Sequence, residues 1–205
     1  MNNNGDVVGI LPIPMYADLI DIDTSAIRDY ILNDKNACNT NTNGNLASKD
    51  YHLLEHECFK QLKDAFLDRC NYFCADVQKF KYDELFITSS WYNINSPGTS
   101  HHAHSHSNSI VSGVFYVDAP KKGGNLIMLR GPQQLAPSKH EHTPGPFSAD
   151  FCPVEPEDNL LVLFPSYVMH CVDENKSDRD RISIAFNVFF RGEFGHGQSF
   201  TYLKV

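Results

Sequence analysis

The hydrophobic pattern of this chain changes period at Glu84, and that change limits the fold more than any other feature. Before it, Leu54, Cys58, Leu62, Ala65, Phe66 and Phe73 recur at steps of three and four. This spacing draws one apolar stripe along a helix, predicted to start after Ser48 and to run to about Ala75. After it, Leu85, Ile87, Ser89, Trp91 and Asn93 alternate with Phe86, Thr88, Ser90 and Tyr92. Alternation of that kind is the mark of a strand, because successive side chains point to opposite faces. Further strands are predicted from Ile110 to Val117, Asn125 to Leu129, Leu160 to Pro165, Tyr167 to Val172 and Arg181 to Phe190.

The rest of the chain fits around this division. Pro12 and Pro14 exclude a helix between Val7 and Ile20, which reads as an edge strand or extended lead-in segment. Asp23, Thr24 and Ser25 offer capping oxygens to a helix that ends near Leu32. The Asn/Thr/Gly-rich stretch from Asn33 to Ala47 has no period and reads as a surface loop. Helices first and short strands after them predict a mainly β fold with N-terminal helices, built as two sheet layers backed by the helices. The length of 205 residues suits a single domain, with a helical part at about 20–80 and a β core at about 84–190.

Composition narrows the function classes. A net charge of −8, with no Lys/Arg run, disfavours bulk nucleic-acid binding. No apolar run approaches the roughly 20 residues needed to span a bilayer. The first residues lack the basic start of a secretory signal, and none of the six cysteines forms a CxxC pair. Reduced thiols in a cytoplasm are the expectation.

The chemistry concentrates in histidine. Four of the ten histidines lie in His101-His102-Ala103-His104-Ser105-His106. In an extended strand His104 and His106 present their rings side by side. His170 stands far downstream in an apolar run with Val162, Leu163, Phe164, Val168 and Val172. Two histidines at i and i+2 with a third from a later strand can hold a metal, and the three rings suit iron, zinc, copper or nickel alike. A His-rich surface tract that binds nothing in particular is the plain alternative. By alternation His102 shares the face of His104, yet His101 and His102 both read as bystanders. His52 and His56 read as solvated or half-buried for want of a third ligand. His140 and His142 repeat the His-x-His spacing inside a proline-rich stretch, Gly131 to Asn159, and read as decoys or substrate contacts. A stretch of that length without period suits a lid over the site.

Arg181 carries the second signal. On its strand Arg181, Ser183, Ala185 and Asn187 share one face, and Ile182, Ile184, Phe186 and Val188 share the other. A charged guanidinium on a buried strand needs an anion, and with a neighbouring hydroxyl it makes a carboxylate receptor. An ion pair with Asp173 or Glu174 is the structural alternative.

Taken together, His104-Ser105-His106, Ser112-Gly113-Val114-Phe115-Tyr116-Val117, Leu163-Phe164-Pro165-Ser166, His170 and Arg181-Ile182-Ser183-Ile184-Ala185-Phe186-Asn187 resemble the putative 2-oxoglutarate/Fe(II)-dependent oxygenase family of bacteria and phages. Trp91-Tyr92-Asn93 is similar to that family's first strand, and Leu11-Pro12-Ile13-Pro14-Met15-Tyr16 is a weaker echo. The resemblance spans roughly Glu84 to Phe190. It implies a double-stranded β-helix, the jelly-roll or cupin-like fold, with Fe(II) at the barrel mouth. It implies His104, His106 and His170 as metal ligands, although His106 stands where the wider superfamily has Asp or Glu. A carboxylate or water in place of His106 stays open. The far carboxylate of 2-oxoglutarate would meet Arg181 and Ser183, with Tyr116 and Asn93 as further hydrogen-bond partners. Fe(II), three neutral rings and a doubly ionised 2-oxoglutarate sum to zero charge.

The function so implied couples decarboxylation of 2-oxoglutarate to oxidation by dioxygen, most simply hydroxylation, of a small-molecule or peptidyl substrate. The setting would be a bacterial or phage-infected cytoplasm. The rivals are a three-histidine cupin-type dioxygenase that uses no 2-oxoglutarate, and a metal-binding jelly-roll module without catalysis.

Overall fold

A computed structural model describes residues 9, 12–39, 43–131, 149–195 and 197–205. In chain order the strands are β1 (Tyr16–Leu19), β2 (Cys38–Asn39), β3 (Leu46–Ala47), β4 (Glu84–Asn95), β5 (His101–His104), β6 (Val111–Asp118), β7 (Leu126–Leu129), β8 (Phe151–Val154), β9 (Leu160–Pro165), β10 (His170–Val172), β11 (Arg181–Arg191), β12 (Glu193–Phe194) and β13 (Leu203–Lys204). The helices α1 (Ser25–Asn33) and α2 (Lys60–Asn71) precede most of them.

The strands form two main antiparallel sheets. One runs β1-β9-β6-β11-β4-β3-β2 and the other β5-β10-β7-β8; β12 and β13 pair apart. This is the mainly β, two-layer fold that the sequence pattern predicts, in the jelly-roll form that the resemblance implies. Alternation sorts the large sheet into two faces. Phe115, Leu161, Leu163, Ile182, Ile184, Phe186 and Val188 pack against helix residues Ile27, Ile31, Leu62, Phe66 and Phe73. Tyr116, Val162 and Phe164 face the other way, onto Leu126 and Met128 of the small sheet. The Phe66 and Phe186 rings stack at 4.5 Å and clamp α2 to the middle of the large sheet.

Several expectations need correction. The helix expected from Ser48 begins at Lys60; Leu53–Glu55 and Glu57–Phe59 are separate 3-10 turns, and Tyr72–Val77 is a π-helical turn. Competing hydrogen bonds hold this early part off the helix. Asp50 accepts from the His52 backbone N–H, and the Ser90 hydroxyl accepts from the Leu54 N–H. The stripe accordingly loses Cys58, which is exposed, and gains the buried Phe59. The stretch expected as loop supplies β2 and β3, which extend the large sheet beside β4. In the region read as strandless, β8 pairs with β7 despite Pro153, which the edge position tolerates. Ser166 and Tyr167 form a turn and Val168 and Met169 lie outside any strand, so only His170–Val172 is strand. The lid expected within Gly131 to Asn159, with His140 and His142, falls largely outside the described residues.

Bulges shift the faces. Asn187 pairs with Ser89 and Val188 with Ile87, so Thr88 is an extra residue on β4. Leu85 and Ile87 therefore join the helix-facing core with Tyr92 and Ile94, while Trp91, Asn93 and Asn95 face a cavity. A strict period of two had placed Leu85 and Ile87 with Trp91.

Candidate metal centre and anion pocket

One cavity lies between the two sheets, and it gathers most of the residues singled out by sequence. Trp91, Asn93, Tyr116, Arg181 and Ser183 come from the large sheet; His104 and His170 come from the small one. His106 follows two residues after β5 and also lines the cavity.

Strand register brings the histidines together. His170 sits between His104 on β5 and Met128 on β7. The ring centroids of His104 and His170 are 4.3 Å apart, and His106 is 5.1 Å from each. One candidate ligand atom from each of the three lies within 4.8 Å of the others. Backbone carbonyls fix the tautomers. His104 Nδ1 donates to the His102 carbonyl at 2.9 Å and His170 Nδ1 to that of Val168 at 3.0 Å. Both rings thus turn an unprotonated Nε2 toward the shared centre. Trp91 stacks on His106, and Phe164 meets His170 edge-on at 4.8 Å.

Burial keeps these rings neutral. Desolvation lowers His170 to about 3 and His106 to about 4, with neighbouring histidines acting in the same direction. His104 is lowered too, chiefly by burial. Neutral imidazoles are the ligating form, so the donor set fits a transition metal without any proton having to leave.

Arg181 is the pocket's positive charge. Only 3% of it is exposed. Nη1 donates to the Gly124 carbonyl at 3.0 Å and Nη2 to the Asn95 side-chain oxygen at 2.7 Å. Its Nε–H has no partner among the described residues, and the same is true of Asn95 Nδ2. Its guanidinium carbon lies 5.7 Å from the Tyr116 ring centroid. No carboxylate pairs with it among the described residues, so the ion pair weighed for Asp173 or Glu174 does not form. Burial lowers its proton affinity, yet a guanidinium stays charged. A buried cation with a spare donor suits a carboxylate. Burial raises the Tyr116 hydroxyl, which remains a protonated donor.

Two participants escaped the sequence reading. Asn95, two residues beyond the alternation read from the sequence, closes β4 directly opposite Arg181 and holds it. His101, read as a bystander, lines the cavity, while His102 is exposed and does not. Two steps along β10 match three along β5, and this bulge turns His101 onto the face of His104. His52 and His56 stand on no common helix, and His56 Nε2 pairs with Asp50 at 2.6 Å.

Comparison with known proteins agrees with this geometry. Residues 89–187 match the family model described as putative 2OG-Fe(II) oxygenase. No curated protein matches the chain. Among solved structures, a Pseudomonas putida prolyl-4-hydroxylase is 17% identical, with a TM-score of 0.58 over 88% of this chain and 94% of that one. The epimerase SnoN of nogalamycin biosynthesis, described as α-ketoglutarate-dependent and non-haem, is 12% identical, with a TM-score of 0.65 over 90% and 82%. HygX of Streptomyces hygroscopicus, solved with nickel and 2-oxoglutarate bound, is 11% identical, with a TM-score of 0.57 over 86% and 82%. At these identities the likeness is one of fold.

Proposed function

Residues 89–187, which bear the cavity, match the model of the 2OG-Fe(II) oxygenase family, and from that premise we propose that the chain is such an oxygenase and hydroxylates a small-molecule or peptidyl substrate. Fe(II) and 2-oxoglutarate are the family's cofactor and co-substrate, and dioxygen is its oxidant. We assign His104, His106 and His170 as the iron ligands. Arg181 and Ser183 receive the far carboxylate of 2-oxoglutarate, with Tyr116 and Asn93 beside it. The whole of 1–205 serves as one oxygenase domain. No described helix is long and apolar enough to cross a membrane. A cytoplasmic setting accords with Cys70 and Cys74, which are free and buried.

The observation that carries this reading is the buried Arg181, without a carboxylate partner among the described residues, in the same cavity as three neutral imidazoles. When bound, ferrous iron with 2-oxoglutarate and dioxygen supplies the oxidation, one oxygen atom going to succinate and the other to the substrate, with release of carbon dioxide. The chain's own residues do the positioning. The Val168 and His102 carbonyls hold two imidazoles in the ligating tautomer. Asn95 and Gly124 hold the guanidinium through its two Nη atoms and leave Nε–H free. Trp91 and Phe164 brace the rings of His106 and His170. The hydroxylation outcome rests on its being the simplest course, since SnoN is an epimerase.

The test is metal analysis of freshly purified anaerobic protein, combined with an assay for succinate. One equivalent of iron and succinate formation that depends on 2-oxoglutarate are expected. Oxygen consumption without succinate would instead indicate a three-histidine dioxygenase that uses no keto acid. His170→Ala should abolish iron loading; retained stoichiometric iron would remove His170 from the centre.

A further inference from the structure

We propose that His101, His102 and His104 form a second, solvent-facing site for a borderline divalent cation, Zn(II) first among them, which shares His104 with the inner triad. One candidate ligand atom from each of these three residues lies within 4.8 Å of the others, the same closeness as in the inner group. Their ring centroids are 4.7 Å apart for His101 and His102, 4.6 Å for His101 and His104, and 5.4 Å for His102 and His104. The cause is local. The bulge in β5 gathers rings that regular alternation would separate.

The hydrogen bonds prepare the donors. His101 Nδ1 and His104 Nδ1 both reach the His102 carbonyl, at 3.2 and 2.9 Å. Each ring is left with Nε2 as its free lone pair. Zn–N bonds of about 2.0–2.1 Å place tetrahedral ligand nitrogens about 3.4 Å apart. Ring nitrogens that already lie within 4.8 Å of one another reach that spacing by side-chain rotation. His102 is exposed, so its ring can turn on the solvent side. Three nitrogens with no carboxylate among them favour Zn(II) over Fe(II) by the usual order of divalent affinities.

Sharing His104 has a consequence. Its Nδ1 is engaged with the His102 carbonyl, which leaves Nε2 as its one free lone pair, so one ion at a time can use it. The two sites are alternatives, one reached from solvent and one ending at the buried His170. The outer site's existence does not depend on the oxygenase reading; only its competition with iron does.

The experiment is equilibrium dialysis of the full chain against Zn(II) after chelator treatment, with metal counted by elemental analysis. H106A/H170A removes two inner ligands and should still bind one equivalent. Adding H101A or H102A to it should weaken that binding by at least about tenfold, the scale on which a metal site responds to a lost partner. Wild-type protein should hold one equivalent rather than two at modest excess. An H106A/H170A protein that binds no zinc overturns the proposal, and so does binding that survives both H101A and H102A. If circular dichroism shows the double variant unfolded, H106A alone replaces it, with the same outcomes read against H106A/H102A. Wild-type protein that forms no succinate with iron and 2-oxoglutarate, while H106A/H170A still binds zinc, would count against the oxygenase reading and leave the outer site standing.

Discussion

At the scale of single residues, the cavity joins a buried cation to a set of neutral rings, and both can be perturbed separately. Arg181→Ala removes the one fixed positive charge from the pocket. It should weaken 2-oxoglutarate binding by about 2–4 kcal/mol, because the far carboxylate would then be desolvated without a partner. Calorimetric titration of nickel-substituted protein reads this directly, and unchanged affinity would reject the role. The imidazoles make a different statement. In the unfolded chain a histidine titrates near 6.5, whereas in the fold His170 sits at about 3 and His101 and His106 at about 4. Between those limits the unfolded state binds more protons than the folded one, so stability rises with pH across the window. Metal-free protein should be most stable above about pH 6.5, the unfolded-state value, and should lose stability steadily as pH falls toward 4. Urea midpoints at a series of pH values test the sign; a flat profile would mean that the rings are not buried as described.

Among the elements, glycines mark where backbone meets side chain. Gly124 has φ +91°, and a Cβ there would overlap the Asp173 carbonyl oxygen. The Gly124 carbonyl is also what receives Arg181 Nη1. Gly124→Ala should therefore lower both stability and 2-oxoglutarate affinity while metal content stays at one equivalent; unchanged affinity would show that this carbonyl does not hold the guanidinium. Gly113 lies under the Phe186 ring, and Gly113→Ala should cost about 1–3 kcal/mol by overpacking. Elements also show what could be read from sequence. β4 and β11 were legible because long alternating runs specify them, and β6 and β9 because short apolar runs containing β-branched and aromatic residues do; the faces of β11 emerged as observed. The bulges at Thr88 and within β5 were not legible. A bulge leaves composition unchanged and depends on the partner strand. That is why Leu85 and Ile87 were assigned to the wrong face and His101 was passed over. Short pairings such as β3 with β4 and β8 with β7 depend on neighbours that no local pattern announces.

Across the molecule, the large sheet divides the work between its two sides. Ile182, Ile184 and Phe186 bind the sheet to the helices, while Arg181, Ser183 and Ala185 on the same strand line the cavity. Stability and chemistry are thus adjacent in sequence yet separated by one strand thickness in space. Phe66 tests that separation. Its ring is fully buried and stacks on Phe186 and against Phe115, at 5.4 Å from the latter. Phe66→Ala should cost about 3–5 kcal/mol, since the gap left between helix and sheet cannot close fully. Metal affinity and 2-oxoglutarate affinity, measured well below the lowered melting temperature, should stay within about twofold of wild type, as expected for sites that share no partner with the mutation. Saturating metal should then restore part of the lost melting temperature, because an ion that binds only the folded state stabilises it by mass action. A variant that melts early yet binds normally supports two independent faces. Binding that falls in step with stability would mean that the helices set the geometry of the centre through the sheet.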